Sequence, residues 1–165
     1  MFGKIVLAIA LLILVGATAL AQEHPDLSGS WRINLAESDY GDLQGPDTRV
    51  DVIEQHDGRV SDRVTVEGRR RKQQYTLLFV TDGTETALPP GTKTGITTIL
   101  TVSGQWQGNV LVVIQKVQSQ GIRLVLANRY TLSGDGKTLS VTVSRENDSK
   151  ALADFVFDRI LPSEQ

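Results

Sequence analysis

The chain has 165 residues, with 17 Lys and Arg against 19 Asp and Glu, a formal net charge of −2, and no cysteine. The missing cysteine excludes disulfide stapling, a thiolate metal site and a thiol nucleophile. The mildly acidic balance supplies no field that would gather nucleic acid, so a nucleic-acid partner is not expected.

The first residues read as an export signal. Lys4 gives a positive start, residues 5–15 form an unbroken apolar run, and Ala19, Leu20 and Ala21 give the small-x-small pattern that a signal peptidase accepts. Cleavage after Ala21 is expected, making residues 1–21 a signal peptide and residues 22–165 one domain, periplasmic or secreted, with no transmembrane segment left. An uncleaved anchor is disfavoured: the stretch up to Ala21 is at the short limit for spanning a bilayer and breaks into Gly16, Ala17 and Thr18. The remaining length suffices for a single hydrophobic core.

Beyond residue 22 the apolar residues alternate with period two, and no helical stripe of useful length interrupts them. The pattern predicts strands over 30–35, 49–55, 59–67, 72–80, 94–106, 110–118, 122–132, 138–145 and 152–160. Turn chemistry separates them: His56-Asp57-Gly58, Thr81-Asp82-Gly83, Gln107-Gly108-Asn109, Ser119-Gln120-Gly121, the Ser133 to Lys137 cluster and Glu146-Asn147-Asp148-Ser149. Connections this short make neighbouring strands antiparallel. Val60, Val64 and Val66 share one parity, as do Leu139, Val141 and Val143, with Thr138, Ser140, Thr142 and Ser144 on the opposite face.

The expected fold is therefore all-β, a single antiparallel up-and-down meander of eight or nine strands that closes into a barrel, because closure removes the sheet edges. A β-sandwich is the alternative. An outer-membrane barrel is excluded by polar outward parities and few aromatics. Residues 110–117 are apolar on both faces, and the irregular stretch 36–47 is the expected cover.

At Gly29-Ser30-Trp31, opening the first predicted strand, the chain resembles the lipocalin-like (calycin) barrels, whose first strand carries Gly-x-Trp. Trp106-Gln107-Gly108-Asn109, the run from Arg129 to Lys137 and the closing Phe157-Asp158-Arg159 are similar to bacterial exported lipocalin-like domains of unassigned function. The resemblance implies an up-and-down barrel over residues 22–165. It also implies a barrel-closing contact between Trp31 and Arg159, which parity argues independently. Trp31 shares a face with Ile33, Arg159 shares one with Phe155 and Phe157, and a cation at a core position needs a partner.

Catalytic chemistry finds little support. His24 and His56 are isolated, no Asp/Glu/His cluster stands at metal-ligand spacing, and no Gly-x-Ser-x-Gly elbow occurs. Asp154 and Asp158 form a pair on the last strand, but their parity opposes that of Phe155 and Phe157, so they are expected in water. No metal, no cofactor and no enzymatic activity are expected. The basic run Arg69, Arg70, Arg71 and Lys72 reads as a solvated loop that could steer an anionic group.

An eight-stranded barrel is just wide enough to be filled by side chains or to hold one small ligand. Tyr75, Leu77, Phe79, Leu124, Leu126, Asn128, Tyr130 and Phe157 would form an apolar wall with a few polar tips, suited to a lipid or aromatic metabolite. The expected function is binding of such a small apolar ligand inside the barrel. The alternative is an envelope structural or protein-interaction module, its barrel filled and its partner a protein.

Overall fold

The structure, a computed structural model, describes residues 24–42, 45–68 and 71–161. The expected signal peptide with its cleavage point, and Arg69 and Arg70 of the basic run, lie outside these. The described residues form eleven strands and no helix. They are β1 (Gly29–Ile33), β2 (Thr48–His56), β3 (Arg59–Gly68), β4 (Arg71–Val80), β5 (Thr86–Ala87), β6 (Lys93–Thr94), β7 (Thr97–Gln107), β8 (Val110–Ser119), β9 (Ile122–Leu132), β10 (Thr138–Arg145) and β11 (Ala151–Ile160). The nine long strands follow the alternation of the sequence. The two short ones, β5 and β6, lie in the connection between β4 and β7 and both pair with β7.

All strands belong to one antiparallel sheet in the order β4-β3-β2-β1-β11-β10-β9-β8-β7-β5. The first strand pairs with the last, so the meander curls into a nearly closed barrel and the sandwich alternative is set aside. Turn residues enforce the reversals. Asp57 and Gly58 both take positive φ, 48° and 72°, as do Gln120 and Gly121 at 50° and 82°, the geometry whose twist matches a two-residue hairpin.

The remaining seam runs between β4 and β7. At one end it is stitched: Gly83 N–H donates to the Gly104 carbonyl at 2.8 Å, and Asp82 bridges Gln105. Gly104 is essential to that approach, because a Cβ there would run into the Phe79 ring. Farther along, β5, β6 and their connecting loop occupy the space beside β7.

The chain before β1 closes one end of the barrel. Gln55 donates from Nε2 to the Pro25 carbonyl at 3.1 Å, accepts from Leu27 N–H at 3.3 Å, and its own N–H donates to Ser28 Oγ at 3.0 Å. Leu27 is thereby pressed into the core, 1% exposed.

The described residues of 36–47 do not cover β8. They extend the pairing of β1 along β11 instead: Asn34 N–H donates to the Val156 carbonyl at 2.7 Å, and Asp39 and Asp154 exchange backbone hydrogen bonds at 2.8 Å each. β1 is short, and β11 offers unpaired backbone groups past its end that this segment satisfies. Val112, on the outer face of β8, is instead shielded by its cross-strand neighbours Gln105 and Arg129, long side chains whose stems can lie along apolar surface.

Candidate functional site

Register decides which side chains enter the barrel. Trp31 pairs with Asp51, Asp51 with Val64 and Val64 with Tyr75, while Ile53 pairs with Asp62 and Asp62 with Leu77. On the other side Leu111 pairs with Tyr130, Tyr130 with Val141, and Leu139 with Phe157. Directly paired residues project to the same face of a sheet, so Tyr75, Leu77, Phe79, Leu124, Leu126, Asn128, Tyr130 and Phe157 all share the inward face. Leu77, Phe79, Asn128, Tyr130 and Phe157 are buried, and Tyr75, Leu124 and Leu126 are half-buried. Asn128 donates to the Val113 carbonyl at 3.2 Å, and the Phe79 ring packs against Gly104 across the seam.

The same face carries charge that the sequence reading passed over. Arg49 and Asp51 stand two residues apart on β2 and form a forked ion pair, Nε to Oδ1 at 2.8 Å and Nη2 to Oδ2 at 2.6 Å. The Arg49 guanidinium also lies 5.2 Å from the Phe157 ring centroid and 5.7 Å from that of Phe155. Asp62, on β3, is 2% exposed, and neither of its carboxylate oxygens has a hydrogen-bond partner among the described residues.

These groups determine one another's protonation. Burial pushes the Asp62 carboxyl well above the usual carboxylate range; the neighbouring Asp51 charge adds to this and Arg49 opposes it. Burial works against the charge on Arg49, yet the paired Asp51 carboxylate outweighs it and holds the guanidinium protonated. Burial raises the Tyr75 phenol to about 12, against the pull of Arg49, and raises that of Tyr130 as well. Burial thus favours the neutral forms of Asp62 and of both phenols beside the Arg49–Asp51 ion pair.

Burial is uneven over the inward face. Near the closed end Trp31 and Phe157 are at 0% exposure and Val60 and Leu77 at 2%. Toward the other end Arg49, Tyr75, Leu124, Leu126 and Phe155 remain partly open, while Ile99 and Val117 beside them are at 2%. Tyr40 tilts over Phe155 there, ring centroids 5.5 Å apart. A surface cleft of about 530 Å³ runs beside this half, between β4 (Lys72 to Thr76) and the loop from Pro89 to Lys93, with Tyr75 in its wall.

Trp31 and Arg159 are direct register partners across β1 and β11, and the guanidinium carbon lies 4.2 Å from the indole centroid. Arg159 also donates from Nε to the Gly136 carbonyl at 2.7 Å and from Nη1 to the Ser28 carbonyl at 2.9 Å, while the Trp31 indole donates to the Leu27 carbonyl at 2.9 Å. This geometry accounts for the Gly-x-Trp spacing. Gly29 adopts φ 148°, and a Cβ there would stand 2.6 Å from Arg159 Nη1.

The other singled-out residues lie away from the interior. His24 stacks on Trp106 at 4.7 Å, and His56 meets Asp57 at 2.9 Å in an exposed turn. Asp154 accepts from Thr142 and Asp158 from Asn34, both on the outer surface. Lys72 pairs with Glu67 at 2.7 Å. Among the described residues, no group of three or more His, Asp or Glu is arranged to hold a metal ion.

This architecture is that of the calycin-type, lipocalin-like β-barrels. Solved structures of similar shape include a secretary abundant heat soluble (SAHS) protein from Ramazzottius varieornatus, 14% identical, with TM-score 0.59 over 81% of this chain and 94% of that one. Human cRBP IV is 19% identical, with TM-score 0.53 over 82% and 99%. The fatty-acid-binding protein from Manduca sexta is 14% identical, with TM-score 0.50 over 81% and 99%. No protein-family model and no curated protein sequence matches the chain.

Proposed function

We propose that this protein is a non-enzymatic carrier that binds a small, mostly apolar molecule in the open half of its barrel. The observation that carries this reading is a partly open patch of the inward face, where Arg49, Tyr75, Leu124, Leu126 and Phe155 remain half-buried beside fully sealed neighbours such as Trp31 and Val117. That wall is apolar with a few fixed polar groups, the composition that suits small-molecule sites. The shared fold with a fatty-acid-binding protein is in keeping with it. We further propose that the carrier acts outside the cytoplasm, as residues 22–165 after cleavage at Ala21, on the strength of the N-terminal sequence pattern.

Nile red, a neutral polarity-sensitive dye, tests the binding reading. It should bind the folded protein saturably, and Leu126→Trp, which fills the open half, should weaken binding about tenfold or more while the fold is retained. No saturable binding, together with native mass spectrometry showing only the bare chain, would instead favour the filled barrel of an interaction module.

A further inference from the structure

We infer, building on the carrier reading, that the ligand bears a cationic amine at its inner end and that the Asp62 carboxylate receives it. The charges inside the barrel lead to this. Asp51 and Asp62 face a single guanidinium within their group, and Asp51 occupies that guanidinium with both of its oxygens. Asp62 is left with two buried oxygens and no partner among the described residues. A buried polar group without a partner is costly in a folded protein, and a native one calls for an explanation.

The groups facing Asp62 are Arg49 and Asp51 from β2, Tyr75 from β4 and Tyr130 from β9. With both carboxylates ionised the set carries one net negative charge, which an ammonium would cancel. A carboxylate-headed ligand would add a third acid to the same small volume. On β3, Asp62 lies two residues closer to the closed end than Val64, the partner of Tyr75. A headgroup that reaches Asp62 therefore leaves its tail along Leu124, Leu126 and Phe155 toward the open end. Burial favours the protonated carboxyl of Asp62 in the free protein, so a docking ammonium displaces that proton to solvent, and the complex then holds a charge-assisted pair.

Decylammonium, decanol and decanoate share one tail and differ in the head. Displacing Nile red at pH 7, decylammonium should bind about tenfold or more tighter than decanoate. Calorimetry in buffers of different ionisation enthalpy should show close to one proton released by the amine and none by decanol. Asp62→Asn should abolish both the amine preference and the proton release. If that variant does not fold, the wild-type protein still decides: amine affinity should rise between pH 5 and pH 8 while decanol affinity stays flat. Equal or tighter binding of decanoate, or an amine preference that survives in Asp62→Asn, would overturn the assignment with the carrier reading intact. Binding of none of the three would remove the carrier reading and this inference with it.

Discussion

The guanidinium of Arg159 lies over the indole of Trp31, 4.2 Å from its centroid, and ties the last strand to both the first strand and the segment ahead of it. A cation over an aromatic face contributes about 0.5–2 kcal/mol, and each charge-assisted hydrogen bond to a carbonyl about 1.5–3 kcal/mol. Arg159→Met, which keeps the stem and loses both kinds of interaction, should therefore cost at least about 3 kcal/mol in urea unfolding. Trp31→Ala should cost about 3–5 kcal/mol, because it also empties the closed end. A cost near zero for Arg159→Met would show that the contact does not hold the barrel shut.

The seam between β4 and β7 depends on a hydrogen atom at position 104. Gly104→Ala should push the Phe79 ring aside and destabilise the protein by about 1–3 kcal/mol. Phe79→Leu in the same background should recover part of the loss, since the smaller side chain leaves room for the methyl group. Additive losses in the double variant would place the strain elsewhere.

Arg49 neutralises the acid beside it. Arg49→Met leaves Asp51 buried without its partner and should cost about 3–5 kcal/mol. Replacing both members, Arg49→Met with Asp51→Leu, should restore most of that loss, because a buried pair is readily exchanged for apolar packing. Chemical denaturation of the two single variants and the double variant measures the coupling directly.

Asp62 makes stability depend on pH in the direction opposite to most carboxylates. Its native pKa is raised by burial, so the folded state holds a proton that the unfolded chain releases above an ordinary aspartate value of about 3.9. Its contribution is full below that value and is lost as pH rises through the native value, with a slope approaching about 1.4 kcal/mol per pH unit. Asp62→Asn removes the titration. The variant should gain on the parent in urea titrations as pH rises above about 4, until the native value is passed. A constant difference across that range would show that Asp62 is already ionised in the native barrel.

The strands, the hairpins and the partnership of Trp31 with Arg159 could be read from alternation because each rests on local parity or on one cation at a core position. The charged interior was harder to see. On β2 the alternation is inverted: Val50 and Val52 face outward while Arg49 and Asp51 face in, and an apolar-inward rule reads that strand backwards. Asp62 was visible in principle, since it shares its parity with Val60, Val64 and Val66. An acid in such a row has a meaning only when its neighbours on other strands are known, and β4 and β9 bring Tyr75 and Tyr130 to it from far along the chain. The placement of residues 36–47 followed from the hydrogen-bonding needs of the β11 backbone, which leave no mark in side-chain pattern.

Pairing of the first strand with the last has a kinetic consequence. The contact between Ser28 and Arg159 spans 131 residues, so the closed end cannot assemble until β11 has been made. Pairing β1 with β11 is the one non-local step in an otherwise sequential meander, and such long-range pairing is intrinsically slow. Until β11 arrives, Trp31 stands on an unprotected edge, and its fluorescence in a refolding experiment should report the final step of closure, after the central hairpins have formed.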